Sequence, residues 1–316
     1  MNKGTYLITG SSGFIGSNLV YQMYKKYKLI LVDDLSEGIL SNLPKSLIKN
    51  LIKKKIQDIE ISKFKSLKGI FHLAAQSSVP LSLKYIYKSS SNNLDSSIKV
   101  FEIAKKFSIP VVYASSSAVY GNKPFGDDLK NKFSIISPYA LDKLTLEMYS
   151  KMFFDVFNIS SVGLRFFNVY GPKQNASSPY SAVVPIFIER MKKNLKVTIN
   201  GGTQTRDFIY IDDVIKIIIL SMEKAQNKKI NNIINVGTGR SVSINYLYKT
   251  IKKEIPNNSK IIRKKLDKFD PKKSAGNFKK LKFFLKNKNF SFTKLEDGIH
   301  KTIVSKLWQR QDHMIG

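Results

Sequence analysis

The segment TGSSGFIG, residues 9–16, constrains the fold of this chain more than any other feature. It follows a short apolar stretch, Thr5–Thr9, and leads into residues whose apolar side chains recur at helical spacing. Glycines in such a position occur where a strand turns sharply into a helix and the backbone of the turn approaches a ligand. The sequence therefore predicts a nucleotide-binding strand, turn and helix, with GxxGxxG spacing rather than the commoner GxGxxG.

Each glycine of this turn has a predicted role. Gly10 permits the tight turn, Gly13 lets the backbone approach a pyrophosphate, and Gly16 lets the helix lie close to the sheet. The first helical turn, which starts with Phe14 and Ile15, offers free amides and the positive end of the helix dipole to phosphates.

An acidic residue, Asp33, follows the second apolar segment, Leu29–Val32. A carboxylate at this point can accept both hydroxyls of an adenosine ribose, whereas it would repel a 2′-phosphate. Because no arginine stands nearby, the sequence favours NAD over NADP as the cofactor. The alternative is a glycine-rich turn followed by an unrelated acid.

Apolar segments and helical patterns alternate along the first half of the chain. The predicted strands are Thr5–Thr9, Leu29–Val32, Gly69–Leu73, Val111–Ala114 and Ser161–Arg165. The predicted helices lie near 14–26, 81–88, 93–107 and 138–157. Continuous apolar strands that alternate with helices predict an α/β fold with a doubly wound parallel sheet, of the Rossmann type.

Composition excludes several classes of protein. The 316 residues include no cysteine, which excludes disulfide frameworks, thiolate metal sites and a cysteine nucleophile. The three histidines, His72, His300 and His313, are too scattered to suggest a metal cluster, so we expect no metal. The longest apolar run, Val214–Met222, contains Lys216 and is too short to span a membrane. Since a strand pattern begins almost at the first residue, we expect no signal peptide and a soluble, cytoplasmic protein.

The net charge of +30 raises the question of a nucleic-acid or membrane partner. The 53 basic residues include only six arginines, whereas nucleic-acid readers depend on arginine for forked contacts to bases and phosphates. We therefore interpret the charge as solvated lysines that favour a small anionic substrate, and we expect neither nucleic acid nor membrane as a partner.

Tyr139 and Lys143 are spaced to share one face of a predicted helix. Other pairs with this spacing occur in the chain, but this one follows a strand that ends in a serine cluster, 115–117. Removing hydride from a carbinol requires loss of the hydroxyl proton too, and a free tyrosine, with a pKa of about 10, is a weak base at neutral pH. Lys143 and a cationic nicotinamide would stabilise the phenolate, and Ser116 would hydrogen-bond the substrate oxygen. The alternative is a tyrosine at the edge of the core beside a solvated lysine.

Motifs of one enzyme family occur in order along nearly the whole chain. They are TGSSGFIG (9–16), VDDLS (32–36), QDI (57–59), HLAA (72–75), SSSAVYG (115–121), SPYALDK (137–143), LRFFNVYGP (164–172), TRDFIYIDDV (205–214) and NVGTG (235–239). Together they resemble the extended short-chain dehydrogenase/reductases, and among these the nucleotide-sugar 4-epimerases.

This resemblance implies two domains and a tightly held NAD that is regenerated in each cycle. Residues 1–171 and 204–236 would form the Rossmann-type NAD-binding domain. Residues 172–203 and 237–316 would form a smaller C-terminal α/β domain that binds the nucleotide sugar. A homodimer with a paired-helix interface is also typical of the family.

The resemblance, read with the residues above, identifies candidate site residues. The catalytic candidates are Ser116, Tyr139 and Lys143. The cofactor candidates are Gly10, Gly13, Phe14, Ile15, Gly16, Asp33, Asp58, Ile59, Leu73, Ala74, Ala75, Tyr139 and Lys143. The substrate candidates are Ser116, Tyr139, Asn168, Val184, Val197, Arg206 and Ser274.

Some of these residues have structural alternatives. Arg206 could form a plain ion pair with the adjacent Asp207, and Asn168 could serve the turn that follows it. The chain also departs from the family near its C-terminal substrate motif. Asp267 stands where an arginine is usual and Asn277 where an aspartate is usual, which puts a second phosphate contact in doubt.

The type of reaction is inferred from what is missing next to Ser116. In related 4,6-dehydratases, the motif at the position of residues 116–118 resembles Thr-Asp-Glu, and decarboxylases keep the glutamate at the position of residue 118. This chain has Ala118 there, and an alanine side chain cannot transfer a proton. We therefore expect 4-epimerisation of a UDP-hexose. Residues 177–187 and the small Ser274 favour UDP-N-acetylglucosamine and its galacto epimer, with UDP-glucose and UDP-galactose as further substrates. A dehydratase, a decarboxylase, a non-catalytic NAD-binding regulator and a nucleic-acid binder are the alternatives.

Overall fold

A computed structural model describes residues 4–130, 132–176, 181–266, 270–286 and 290–305. The strands are β1 (Thr5–Thr9), β2 (Lys28–Val32), β3 (Leu51–Ile52), β4 (Leu67–His72), β5 (Val111–Ser116), β6 (Phe125–Gly126), β7 (Ser161–Phe166), β8 (Asn168–Tyr170), β9 (Val197–Asn200), β10 (Thr205–Tyr210), β11 (Asn231–Val236), β12 (Ser241–Ser243), β13 (Ile261–Lys264) and β14 (Lys273–Gly276). The helices are α1 (Phe14–Met23), α2 (Val79–Lys84), α3 (Ile86–Phe107), α4 (Pro138–Phe157), α5 (Val183–Lys192), α6 (Ile211–Asn227), α7 (Ile244–Glu254), α8 (Lys279–Leu285) and α9 (Leu295–Val304). Short 3-10 helices cover Leu40–Asn42, Lys45–Asn50, Ile56–Asp58, Ile61–Lys63 and Ser117–Tyr120.

Seven of the described strands form one sheet, in the order β11-β7-β5-β4-β1-β2-β3. β1 pairs in parallel with β2 and β4, β2 with β3, and β4 with β5. Every residue of β1 is buried, as expected for a central parallel strand with both faces covered. The predicted doubly wound α/β fold is confirmed, and the predicted strands agree with the observed ones to within two residues at each end.

Aromatic and aliphatic side chains from the sheet and its helices form the core of this region. Phe101 of α3 stacks on Phe153 of α4, with ring centroids 5.1 Å apart, and contacts Tyr113 of β5 at 6.1 Å. All three are buried in a single hydrophobic cluster. This packing holds α3 and α4 on the sheet and so determines where the residues of α4 lie.

Local sequence signals explain the ends of α4. Ser137 caps its first turn by accepting a hydrogen bond from the amide of Ala140, and Pro138 occupies the first helical position. Asn158 ends the helix in the left-handed conformation, at φ 57°. The predicted helix at 81–88 is instead divided, because Tyr85 leaves helical geometry between α2 and α3.

Contacts group the described residues into two compact units. The first contains the described residues of 1–119, 137–165 and 215–234, and the second contains those of 120–136, 166–214 and 235–316. The second unit has a sheet of its own, in the order β12-β10-β14-β6, with β8 also paired to β10. This pairing explains why 120–136, 166–171 and 204–214, which the predicted domain ranges placed in the first domain, group with the second unit. The binding roles predicted for the two domains stay predictions.

Candidate active site

The glycine turn has the backbone geometry that its sequence predicts. Gly10 adopts φ +67°, and a Cβ atom added to it would lie 2.7 Å from the amide nitrogen of Ala74. A Cβ on Gly16 would lie 2.0 Å from the carbonyl oxygen of Gly10. Gly16 is therefore required by the turn itself, rather than only by the approach of helix to sheet.

The N-terminus of α1 is open to an anion. Gly13 is the N-cap, no side chain caps the helix, and its first turn holds no acidic residue. The first helical hydrogen bond runs from the amide of Ser17 to the carbonyl of Gly13, at 3.0 Å, so the amides of residues 14–16 precede it. Ser12, a residue the sequence analysis did not single out, has a buried hydroxyl with no partner among the described residues. These groups fit the pyrophosphate of a dinucleotide.

Asp33 lies at the end of β2, next to the glycine turn. Its Oδ2 accepts a hydrogen bond from the Ser12 amide at 2.8 Å, and its Oδ1 accepts one from the Leu35 amide at 2.9 Å. Burial raises the pKa of this carboxyl, and the two backbone amides oppose that rise. A carboxylate has up to four acceptor positions, so this side chain can also accept from the hydroxyls of a ribose.

The remaining cofactor candidates lie in the same unit. Leu73, Ala74 and Ala75 follow β4 and are half-buried, and the Leu73 amide donates to the carbonyl of Thr9 at 3.2 Å. Since β1, β2 and β4 are parallel, their following segments lie at one edge of the sheet. The exposed Asp58 and the core residue Ile59 follow β3, and their predicted adenine contacts stay predictions.

Ser116 and Tyr139 are brought together at the end of β5. The Ser116 hydroxyl lies close enough to the phenol of Tyr139 to lower its pKa, and its oxygen accepts the amide hydrogen of Ala118 at 3.1 Å. Accepting this bond uses one of the two lone pairs of Ser116 and leaves its proton free to be donated to the Tyr139 oxygen. Burial raises the pKa of Tyr139, the Ser116 bond lowers it, and Asp142 raises it. Burial is the largest of these effects, so the pKa of Tyr139 is raised in the chain alone, and the acidification predicted from Lys143 with nicotinamide bound stays a prediction.

Lys143 lies beneath this pair. Its Nζ is 5.7 Å from the centroid of the Tyr139 ring and donates to the carbonyl of Ala114 at 2.8 Å. The side chain is buried, in contrast to the alternative of a solvated lysine. Burial lowers the pKa of Lys143 to about 8, although the carboxylates of Asp142 and Glu147 act in the opposite direction. The Lys143 ammonium therefore loses its proton at a lower pH than an ordinary lysine.

A buried ion pair between Arg165 and Glu147, a residue on the same helix as Lys143, was not predicted from the sequence. Arg165 Nη2 contacts Glu147 Oε2 at 2.6 Å, and Arg165 Nε contacts Glu147 Oε1 at 2.8 Å. Ser115 donates to the same Oε1 at 2.5 Å. Glu147 is one turn beyond Lys143 on α4, so helical spacing was a signal that could have revealed it.

The second unit holds the remaining substrate candidates. Arg206 pairs in register with Ser274, and Phe208 pairs with Asn168. Because side chains alternate along a strand, these four residues share one face of the strands. Val184 and Val197 are buried in α5 and β9. Residues 177–180 of the predicted specificity segment, together with Asp267, lie outside the described residues.

Arg206 forms an ion pair, but its partner is Asp270 rather than the adjacent Asp207. Asp207 is fully buried and accepts hydrogen bonds from the amides of Thr238 and Gly239, at 2.9 and 2.7 Å. The predicted alternative of an Arg206–Asp207 pair is therefore wrong, because Asp207 organises the loop after β11. Asn277 donates to Asp127 at 3.0 Å.

Comparison with known proteins identifies the family to which this arrangement belongs. The model of the NAD dependent epimerase/dehydratase family matches residues 6–237. This chain belongs to that family. NAD is therefore its cofactor, as the glycine turn and Asp33 predict. The chain is 31% identical over 319 residues to a UDP-glucuronate 4-epimerase of Thermodesulfobacterium geofontis, and 95% of each protein is covered.

Two solved structures of family members resemble the whole chain. One is a UDP-N-acetylglucosamine 4-epimerase from Methanobrevibacter ruminantium in complex with UDP-N-acetylmuramic acid, with a TM-score of 0.88, 34% identity, and coverage of 99% of this chain and 100% of that one. The other is a UDP-glucose 4-epimerase from Thermotoga maritima with UDP-glucose, with a TM-score of 0.87, 31% identity and coverage of 98% and 99%. The chain is a nucleotide-sugar-modifying enzyme of this family.

Family members with other reactions also match. A UDP-N-acetyl-alpha-D-glucosaminuronate decarboxylase of Bacillus cytotoxicus is 29% identical, over 85% of this chain and 86% of its own. A dTDP-D-glucose 4,6-dehydratase of Dictyostelium discoideum is 30% identical, over 75% of this chain and 59% of its own. Among the described residues, no group of three acidic or histidine side chains is placed to hold a metal, and every helix falls short of what a membrane span needs.

Proposed function

We propose that this family member is an NAD-dependent UDP-hexose 4-epimerase. The observation that carries the proposal is that the Ser116 hydroxyl lies beside the Tyr139 phenol, with the Nζ of the buried Lys143 5.7 Å from the centroid of the Tyr139 ring and Ala118 two residues after Ser116. Bound NAD would accept a hydride from C4 of the hexose and return it to the opposite face of the same carbon. The residues of the chain would transfer the proton and orient the sugar.

Tyr139 would take the proton of the C4 hydroxyl as hydride leaves, which gives a 4-keto sugar. Before this transfer Tyr139 is a phenolate, and Ser116 donates its hydrogen bond to the phenolate oxygen or to the sugar oxygen, which keeps the two oxygens in line for proton transfer. Lys143 supplies a positive charge below the ring at 5.7 Å. When hydride returns, Tyr139 gives the proton back, and the reaction consumes no net reductant.

The choice of epimerisation over its alternatives depends on Ala118. Expulsion of a C6 hydroxyl or loss of a carboxylate would need a further acid or base beside Ser116, and the amide of Ala118 is committed to the Ser116 oxygen. The matches to a dehydratase and a decarboxylase make these reactions the second candidates.

For the substrate, we propose UDP-N-acetylglucosamine and UDP-N-acetylgalactosamine, with UDP-glucose and UDP-galactose also accepted. The small, half-buried Ser274 supports room for an acetamido group, and it lies opposite Arg206, which we propose as a diphosphate contact. Asn168, Val184 and Val197 are the other proposed substrate contacts. The similarity to the UDP-N-acetylglucosamine 4-epimerase of Methanobrevibacter ruminantium points the same way.

The test is incubation of the purified protein with a panel of UDP- and dTDP-sugars, without added reductant, followed by chromatography and mass spectrometry. Interconversion of the gluco and galacto epimers at constant mass supports the proposal. Loss of water or of carbon dioxide would assign the protein to the second candidates. No turnover of any sugar, with NAD bound, would favour a non-catalytic NAD-binding regulator.

We further propose a homodimer that works in the cytoplasm. Along α4, the apolar residues Leu141, Met148, Met152 and Val156 are 53%, 66%, 37% and 63% exposed, which is unusual for residues at helical spacing on one side. A second copy of this helix would cover them. The lack of cysteine suits a reducing compartment. Light scattering of wild-type protein and of Met148→Glu tests the dimer, since the variant should be monomeric.

A further inference from the structure

A histidine that the reaction does not use lies buried at the end of β4. His72 is 2% exposed. Its Nδ1 lies 2.8 Å from the hydroxyl oxygen of Thr9, at the end of β1, and its Nε2 lies 3.3 Å from the hydroxyl oxygen of Ser97, on α3. Both neighbours can donate or accept, so these two contacts alone leave the tautomer open.

The next contact along α3 decides the tautomer. The hydroxyl of Ser97 lies 2.6 Å from the carbonyl oxygen of Asn93, and a carbonyl only accepts. The single proton of Ser97 is therefore committed, and Ser97 must accept from His72 Nε2–H. A neutral ring with its proton on Nε2 has a bare Nδ1, so Thr9 donates to it. The Thr9 oxygen in turn accepts from the amide of Ala74 at 3.3 Å.

In this series of hydrogen bonds each group donates to the next, from the Ala74 amide through Thr9, His72 and Ser97 to the Asn93 carbonyl. A second proton on the ring would face Thr9 and leave the Thr9 proton without its acceptor. Burial, and then the charge of Lys143 on α4, lower the pKa of His72 to about 3. The ring therefore stays neutral at physiological pH.

The side chain of Asn93 links this series of hydrogen bonds to α4, the helix that carries Tyr139 and Lys143. Its Oδ1 accepts from the amide of Gln76 at 2.8 Å, and its Nδ2 donates to the carbonyl of Gln76 at 3.2 Å and to Oδ2 of Asp142 at 2.9 Å. Asp142 is adjacent to Lys143 on α4. The segment 73–76 is thus held through Ala74 at one end and Gln76 at the other.

We propose that His72 is a positioning residue for the bound dinucleotide, which aligns segment 73–76 with α4 and does so only as the neutral Nε2–H tautomer. The resemblance to the family assigns cofactor contacts to residues 73–75 and gives no role to Thr9, His72 or Ser97. The inference depends on the NAD site and is independent of which sugar the enzyme converts.

The tautomer can be measured directly on the wild-type protein. Nitrogen-15 NMR of histidine-labelled protein should show only a few ring signals, because the chain has three histidines, and His300→Gln and His313→Gln identify the signals of the other two. We expect one ring with its proton on Nε2 and a bare Nδ1, unchanged between pH 8 and pH 5. A buried ring with its proton on Nδ1, or one that titrates in this range, would overturn the proposal.

The positioning role is tested by calorimetric titration of NAD into protein stripped of its dinucleotide. Ser96 and Ser97 form a matched pair, since both are buried and both donate to the Asn93 carbonyl, but only Ser97 contacts His72. We expect Ser97→Ala and Thr9→Val each to weaken NAD binding by about 10-fold, while Ser96→Ala and the conservative Thr9→Ser stay within about 2-fold.

Equal NAD affinities for Ser96→Ala and Ser97→Ala would contradict the role of His72, even if both variants are less stable than wild type. Because neither the NMR nor the titration uses a sugar substrate, a negative result here leaves the proposed epimerase activity untouched, and an inactive epimerase leaves this inference untouched.

Discussion

The ion pair beside the proposed reaction centre and the ion pair of the proposed substrate contact Arg206 are held differently, and they lie in different units of the molecule. In the first unit, the groups around the proposed reaction centre are buried and bonded to each other, as the Arg165–Glu147 pair shows with side chains 1% and 2% exposed. In the second unit, the ion pair of Arg206 is made with Asp270, whose side chain is 44% exposed. A buried pair is fixed in geometry by its neighbours, whereas a partner at the surface can exchange protein contacts for water or a ligand.

This difference suits a division between chemistry and recognition. Proton transfer needs atoms held within a few tenths of an ångström, which a buried network supplies. Recognition of a substrate needs groups that can change partners. Variants that disturb the two regions should therefore separate losses in kcat and stability from losses in substrate affinity.

The largest effect is expected at Tyr139. Tyr139→Phe removes the proposed proton acceptor and should lower kcat by about 1000-fold, because general acid–base groups contribute on this scale. NAD should remain bound. Tyr87→Phe is the control, since this tyrosine is 86% exposed. Wild-type turnover by Tyr139→Phe, measured with a UDP-sugar, would exclude the mechanism.

The next effect concerns the stability of the first unit. Glu147→Gln leaves the Arg165 guanidinium buried without its counter-charge, and we expect a loss of about 3 kcal/mol in the free energy of unfolding. Urea denaturation measures it. Glu102→Gln is the matched control, because Glu102 is 52% exposed and only 3.9 Å from Lys99, and it should cost less than about 0.5 kcal/mol. Similar losses for both variants would mean that burial does not distinguish the pairs.

A smaller effect is expected from pH. The pKa of Lys143 is lowered to about 8, so between that value and its ordinary value of 10.5 the unfolded chain binds more protons than the folded one. Stability from this group therefore rises with pH in that window. Relative to Lys143→Met, the wild-type protein should gain about 2 kcal/mol between pH 7 and pH 10. A constant difference would show that Lys143 is not desolvated.

The smallest effect is expected in the second unit. Arg206→Lys cannot form forked contacts, and KM for the UDP-sugar should rise by about 10-fold with kcat nearly unchanged. Arg240→Lys, at an exposed position, should leave both constants as they are. A change in NAD affinity in Arg206→Lys would contradict the division between the two regions.

Much of the first unit was predictable because its signals are local in the chain. The turn at Gly10 and Gly16 follows from backbone sterics, and the ends of α4 follow from Ser137 and Pro138. The pair of Tyr139 and Lys143 needs only helical spacing. In contrast, the domain boundaries and the partner of Arg206 depended on strand pairing between distant segments, which periodicity does not reveal.

The sequence by itself determined the alternation of strands and helices, the glycine turn and the acid that follows β2, because each depends on residues that are neighbours along the chain. Only the tertiary structure decided that Thr9 and Ser97 meet at the ring of His72, that Glu147 faces Arg165, and that burial raises the pKa of Tyr139. Those features depend on which groups lose water together when the sheet and its helices pack, and that cannot be read from any one segment.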